Sequence, residues 1–242
     1  MKRRIADILF EEIARHGVDH GFTLTGGGCM YLVDALGRST IQHVCCRHEQ
    51  SASIAAQAYA MYRNRLGFCL VTTAPGGTNA LTGCAAAYMD STPVLFLSGQ
   101  VKTADFASLR GVRQFGAQEN DIVRMAAPVC KYAVLVTDAG QALYELQKAI
   151  FLATNGRPGP VWVDIPLDMQ SSEVEENTLR RFDAPLDMPA KQRERLLRHY
   201  ADAPCPTTRQ SLYSIARLMA NLAPPSTSPC DSFMQPNALS YS

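Results

Sequence analysis

The first 170 or so residues alternate short apolar runs with segments of helical periodicity, and this alternation limits the possible folds more than any other feature. The apolar runs lie at residues 22–24, 41–45, 68–72, 94–98, 133–136 and 161–165. An opening helix near residues 5–13 and helical patterns at 30–36, 50–63, 78–89 and 139–154 separate them. Strands that are apolar throughout are typical of a parallel sheet with two buried faces. The sequence therefore predicts an α/β fold in which helices cover both faces of a parallel sheet.

Glycine and proline are distributed unequally along the chain. All 16 glycines lie at or before Gly159, whereas eight of the 14 prolines lie at or after Pro185. We predict a single domain over residues 1–170, followed by a linker over the charged, proline-punctuated residues 171–210. Residues 211–242 begin with a helical pattern at 212–222 and then lose all periodicity, which predicts a largely disordered, irregular C-terminal tail.

The charge balance and the apolar pattern exclude several classes of function. The chain has 242 residues, with 23 Lys and Arg against 22 Asp and Glu, and a formal net charge of +1. This balance leaves no electrostatic basis for binding nucleic acid. No apolar stretch approaches the roughly 20 residues that cross a bilayer, and acidic residues at positions 7, 11 and 12 interrupt any signal peptide. We therefore expect a globular protein of the cytoplasm that binds neither nucleic acid nor membrane.

Cysteine and histidine show no pattern of a metal site. The eight cysteines include no CxxC pair, and Cys45 and Cys46 are adjacent. Such cysteines are typical of small buried residues in a reducing compartment. The five histidines are scattered without an HExxH motif, so we predict no metal ligands in this chain.

Parallel sheets bind ligands at the carboxyl ends of their strands, so the loops that follow strands are the candidate sites. Residues 25–28, Thr-Gly-Gly-Gly, can bring bare backbone close to a ligand, but by themselves these glycines are more typical of a simple tight turn. Residues 47–50 place Glu49 before a helix. That carboxylate can take part in chemistry, or it can cap the helix.

Two further loops are candidates. Residues 72–79 contain Pro75 followed by Gly76 and Gly77, which exposes backbone amides and carbonyls, but no GK[ST] follows as in a phosphate-binding loop. Residues 110–121 are polar and include Gln118. Long polar loops of this kind are either functional or ordinary surface segments, and the residues alone leave both interpretations open.

Three segments together resemble a known family. They are residues 47–60 (RHEQSASIAAQAYA), 72–101 (TTAPGGTNALTGCAAAYMDSTPVLFLSGQV) and 157–170 (RPGPVWVDIPLDMQ). In this order they resemble the N-terminal, pyrimidine-binding domain of thiamine-diphosphate-dependent enzymes, over about residues 4–170. Within that superfamily the likeness is closest to the large subunit of acetolactate synthase. The resemblance implies thiamine diphosphate as cofactor, a small 2-oxo acid as substrate, and a dimer or other homo-oligomer.

The resemblance also implies roles for individual residues. Glu49 matches the glutamate that hydrogen-bonds N1′ of the aminopyrimidine, which makes it the expected catalytic residue. Gln118 matches a glutamine near the substrate. The positions that match cofactor-binding residues, besides Glu49, are Gly26, Gly27, Pro75, Gly76 and Asn79. Thr25 and Ala117 depart from acetolactate synthases, which carry proline and phenylalanine there, so the acceptor substrate stays open.

Complete members of the family carry a C-terminal domain in which GDG, followed by NN, binds the Mg²⁺ that holds the diphosphate. No GDG occurs in this sequence. We therefore expect the Mg²⁺ site on a diphosphate-binding domain that another chain supplies or that has been lost, and residues 211–242 as the truncated start of a middle domain. FAD is possible, because its contacts lie mainly in that middle domain.

Two functions follow from the resemblance. The chain is either the thiamine-diphosphate-binding half of an acetolactate-synthase-like carboligase or decarboxylase, or a non-catalytic truncated remnant that folds and associates. In the first case it is a transferase or lyase only when a diphosphate-binding domain complements it.

Overall fold

A computed structural model describes residues 2–201, and within them the chain forms eight strands and nine α-helices. The strands are β1 (Lys2–Arg4), β2 (His20–Thr23), β3 (Gln42–Cys45), β4 (Gly67–Val71), β5 (Val94–Gln100), β6 (Tyr132–Leu135), β7 (Val161–Pro166) and β8 (Glu173–Glu175). The helices are α1 (Ile5–Arg15), α2 (Met30–Arg38), α3 (Glu49–Arg63), α4 (Pro75–Met89), α5 (Ile122–Ala126), α6 (Ala142–Thr154), α7 (Leu167–Ser171), α8 (Ala184–Asp187) and α9 (Ala190–Ala201). None of these helices is both long and apolar enough to cross a membrane.

Six of the strands form one sheet in the order β3-β2-β4-β5-β7-β6, and all of its pairs are parallel. Successive side chains of a strand point to opposite faces, so each central strand contributes to two cores. On β4, Phe68 and Leu70 pack into the core that α1, α2 and α6 cover. Cys69 and Val71 pack into the core that α3, α4 and α5 cover. The predicted α/β fold, with a parallel sheet covered on both faces, is confirmed.

A second, two-stranded sheet was not predicted. β1 and β8 pair antiparallel, from Lys2 opposite Glu175 to Arg4 opposite Glu173. Each strand has only three residues, and Val174 is the single apolar residue of the two, which explains why the sequence pattern did not predict them. The domain boundary at residue 170 and the linker over 171–210 stay predictions. The predicted helix at 212–222 and the tail lie outside the described residues.

Helices α3 and α4 approach each other closely at Gly83. A Cβ atom at this position would lie 2.3 Å from Oγ of Ser53 and 2.6 Å from its carbonyl carbon. Because both Ser53 and Gly83 are buried and one of the obstructing atoms is backbone, a side chain at residue 83 would push the helices apart. Glycine at this position therefore allows the α3–α4 contact that places Glu49, at the start of α3, beside the start of α4.

Replacing Gly83 by alanine should lower the free energy of unfolding by roughly 1–3 kcal/mol, the usual cost of overpacking a core. Gly37 provides the matched control, because it is exposed in α2 and a Cβ there would meet nothing within 4 Å. Gly37→Ala should raise the free energy of unfolding by about 0.5–1 kcal/mol through helix propensity. Urea unfolding of both variants measures the difference, and equal effects would contradict the proposed contact.

Candidate functional site

Three neighbouring strands, β3, β2 and β4, bring their carboxyl ends to the same edge of the sheet. Glu49 follows β3 and is buried at the start of α3. Its Oε2 accepts a hydrogen bond of 3.0 Å from Nδ2 of Asn79, in the second turn of α4. Its Oε1 accepts no hydrogen bond from the described residues. The structure thus presents a buried carboxylate with one oxygen held and the other available.

The side chain that caps α3 is that of His48, not that of Glu49. Nδ1 of His48 accepts a hydrogen bond of 3.1 Å from the N–H of Gln50. The carboxylate of Glu49 instead bonds the side chain of Asn79 across to α4. A capping role therefore does not explain the glutamate at residue 49, and its predicted catalytic role remains a prediction.

Glycine is required where the backbone approaches Glu49. A Cβ at Gly76 would lie 2.7 Å from Cγ2 of Thr72 and 3.6 Å from Oε1 of Glu49. A Cβ at Gly26, in the glycine turn (residues 25–28), would lie 2.5 Å from Cβ of the same threonine. Gly27 is exposed with open space around it. Thr72 therefore packs against both glycine segments, and the bare backbone of Gly76 lies beside the available carboxylate oxygen.

The loop after β4, residues 72–76 (the Pro75 loop), contains an unusual backbone conformation. Ala74 has φ 47° and ψ −104°, in a region that residues with a side chain rarely adopt. Pro75 then begins α4 and is exposed, in the first helical position, where proline is well tolerated. Strain of this kind persists only where surrounding contacts enforce it, and it is common at functional sites.

The loop at residues 115–120 (the Gln118 loop) lies beside the Pro75 loop. Gln118 also has a positive φ, of 60°, and its carbonyl oxygen lies 3.4 Å from Oγ1 of Thr73. Glu119 shapes this segment, because its carboxylate accepts hydrogen bonds from the N–H groups of Ala107 and Gly116 at 2.8 and 3.1 Å. The side chain of Gln118 is exposed, so the structure brings its backbone, and not its amide group, against the neighbouring loop.

The structure thus brings Glu49, Gly26, Gly76 and Asn79 together around Thr72. Gly27 and Pro75 belong to the same two loops, and both are exposed. No role for Thr72 was predicted from the sequence, because threonine is common at the ends of apolar strands and carries no specific signal there.

A buried polar cluster beneath these loops was also missed. Asp164 on β7 accepts hydrogen bonds from Oγ of Ser98 at 2.6 Å and from Nε2 of Gln100 at 3.0 Å. Nε1 of Trp162 donates to the same serine at 2.8 Å. Burial raises the pKa of the Asp164 carboxyl to about 7, against the lowering effect of its two hydrogen bonds. The sequence feature that could have predicted this cluster is the presence of polar residues at the ends of the apolar strands.

Comparison with known proteins identifies the family. The family described as "Thiamine pyrophosphate enzyme, N-terminal TPP binding domain" matches residues 3–125, about half of the chain, and the protein belongs to this family. It is 39% identical over 188 residues to acetolactate synthase 3, chloroplastic, of Brassica napus. It is 43% identical over 165 residues to the acetolactate synthase isozyme 3 large subunit of Escherichia coli strain K12, and 35% identical over 218 residues to acetolactate synthase 2, chloroplastic, of Zea mays.

These alignments cover 77%, 68% and 90% of this chain, in the same order, but only 27%, 28% and 31% of the relatives. The chain therefore spans less than a third of the length of the curated relatives that it matches. The resemblance to thiamine-diphosphate enzymes of the acetolactate synthase type is confirmed. Among residues 2–201, no group of three or more His, Cys, Asp and Glu side chains is arranged to hold a metal ion.

Replacing Asp164 by asparagine should change how stability depends on pH. The carboxyl has a pKa of about 7 in the folded state and about 3.9 when unfolded, so the folded state binds more protons between these values. The free energy of unfolding of the wild type should therefore fall as pH rises from about 4 to about 7. Asp164→Asn removes this contribution, which is on the order of 4 kcal/mol at most.

Urea unfolding between pH 4.5 and pH 8 tests this expectation. The variant should gain stability relative to the wild type as pH rises. Asp138→Asn is the control, because Asp138 is exposed at the start of a helical turn, and this variant should follow the wild-type profile. Parallel profiles for the wild type and Asp164→Asn would show that the buried carboxyl does not titrate in this range.

Proposed function

We propose that the chain provides the pyrimidine-binding half of a thiamine-diphosphate site in an acetolactate-synthase-like 2-oxo acid carboligase or decarboxylase. The observation that carries this proposal is the buried carboxylate of Glu49, with Oε2 held by Asn79 and Oε1 accepting no hydrogen bond from the described residues. Membership of the thiamine pyrophosphate enzyme family and similarity to acetolactate synthases support it.

The residues around Glu49 fit an aminopyrimidine ring. Such a ring is flat, and its polar atoms lie on its rim, so it suits a surface of bare backbone next to a carboxylate. Gly26 and Gly76 provide that surface, because Thr72 leaves no room for a Cβ at either position. The residues that would hold the ring are Gly26, Gly27, Glu49, Pro75, Gly76 and Asn79. Thiamine diphosphate, when bound, supplies the carbon that attacks the carbonyl of a 2-oxo acid.

Glu49 would hold and transfer a proton at the ring nitrogen through Oε1. The amide of Asn79 donates to Oε2 and so fixes the plane of the carboxyl group. The side chain is only 8% exposed, which limits the water that can compete for the same proton. Gln118, from the adjacent loop, would contact the substrate, which we propose to be a small 2-oxo acid.

The diphosphate and its Mg²⁺ would be held by a diphosphate-binding domain outside the described residues. We propose a homo-oligomer of the cytoplasm, in which residues 1–170 form the pyrimidine-binding domain.

The decisive variant is Glu49→Gln, in an enzyme reconstituted with the diphosphate-binding domain of a relative. Glutamine keeps the size of the side chain but cannot transfer a proton. Hydrogen–deuterium exchange at C2 of the cofactor should slow by about 10²–10⁴-fold, the range for losing an acid–base group. Thermal melting should change little, because His48 provides the cap of α3.

Glu12→Gln is the matched control. Glu12 is also a buried glutamate on a helix, and its Oε1 accepts a hydrogen bond of 2.9 Å from the amide of Gln147. It belongs to α1, on the other face of the sheet, and its variant should lose stability through the ion pair with Arg15 while C2 exchange stays normal. Unchanged C2 exchange in Glu49→Gln would refute the proposed role of Glu49.

A further inference from the structure

Gln100, the last residue of β5, connects the two loops of the candidate site. Its Oε1 accepts a hydrogen bond of 2.6 Å from the hydroxyl of Thr73, in the Pro75 loop. Its Nε2 donates a hydrogen bond of 2.9 Å to the backbone carbonyl of Asn120, in the Gln118 loop. The amide of Gln100, a side chain that is only 3% exposed, therefore hydrogen-bonds both loops from the end of β5.

The orientation of this amide is determined by its neighbours. The N–H of Val101 donates to Oε1 at 3.0 Å, and a backbone N–H can only donate. The carbonyl of Asn120 and Oδ2 of Asp164, at 3.0 Å, both accept from Nε2. All four hydrogen-bonding positions of the amide are occupied, and a flipped amide would lose at least the bonds to the N–H of Val101 and to the carbonyl of Asn120.

Two of the four described residues other than glycine that have a positive φ lie next to these bonds. Ala74, with φ 47°, directly follows Thr73, and Gln118, with φ 60°, lies two residues before Asn120. Neither is a glycine, so both conformations need outside support. Gln100 contacts the chain beside both of them, and in neither case does it contact the strained residue itself.

We propose that Gln100 is a positioning residue that holds the Pro75 loop and the Gln118 loop in register with each other. It thereby determines the positions of Pro75, Gly76 and Gln118 relative to the ligands that these residues would bind. The identity of those ligands rests on the proposed function, whereas the coupling of the two loops does not. Asp164 assists by accepting the second N–H of the amide.

Amide hydrogen exchange of the full chain, followed residue by residue, tests the proposal without any cofactor. The reporters are the N–H of Thr78, bonded to the carbonyl of Ala74, and the N–H of Glu119, bonded to that of Gly116. Gln100→Met keeps the length of the side chain and removes all its hydrogen bonds. Exchange at both reporters should accelerate by about tenfold or more, because a buried hydrogen bond is lost on each side.

Thr73→Val separates the two loops. Valine has the shape of threonine but cannot donate, so this variant should accelerate exchange at Thr78 more than at Glu119, because the Gln118 loop loses only the longer contact of 3.4 Å from Oγ1 of Thr73 and keeps its bond to Gln100. Gln57→Met is the matched control. Gln57 is also a buried glutamine whose Nε2 bonds a carboxylate, that of Asp90 at 2.7 Å, and it lies two turns beyond Glu49 on α3.

A purely structural role for Gln100 predicts that Gln100→Met and Gln57→Met have the same exchange at both reporters once their global stabilities are matched in urea. That result would overturn the proposal. Faster exchange confined to the two loops in Gln100→Met would support it. If the loops loosen as expected but Glu49→Gln leaves C2 exchange unchanged, the positioning role stands and the proposed cofactor chemistry fails.

Discussion

The parallel pairing of β3, β2 and β4 is the constraint on which the candidate site depends. Because these strands run in the same direction, the segments that follow them all leave the sheet at one edge. Glu49, the glycine turn and the Pro75 loop are separated by more than twenty residues in sequence at each step, yet all three reach Thr72 or its immediate neighbours. The close contact between α3 and α4 at Gly83 then places Asn79 within hydrogen-bonding distance of the glutamate.

Two buried carboxyl groups lie near this edge, and their surroundings suit them to different tasks. Both oxygens of Asp164 accept hydrogen bonds from neighbouring side chains, so the group is fully used in joining β7 to β5. Glu49 has one oxygen held by Asn79 and one without a partner among the described residues. That oxygen is not fully enclosed by the described residues, so it is the one that a ligand can bond.

Much of this architecture could be predicted from the sequence, because the buried strands are apolar throughout and the site motifs follow them directly. The predicted ends of strands and helices were wrong where polar residues, proline or glycine extend a strand or helix beyond its apolar residues. The apolar run of β5 predicted a strand to residue 98, whereas the strand continues to Gln100, the residue that joins two loops. α4 begins at Pro75 and not at residue 78, because proline and glycine signal a turn even where they form the first turn of a helix. The pairing of β1 with β8 depends on contacts between residues more than 160 positions apart, which no local pattern reveals.

The position of β7 determines the order in which the sheet can be completed. This strand is the last of the six along the chain, but it lies between β5 and β6. β6 is therefore synthesised before β7, and among residues 2–201 β7 is the one strand that pairs with it. Such late, non-local closure slows folding and leaves strand edges exposed to other chains in the meantime. During synthesis, the first four strands of the sheet can assemble early, whereas the sheet as a whole cannot close until the residues after α6 have emerged.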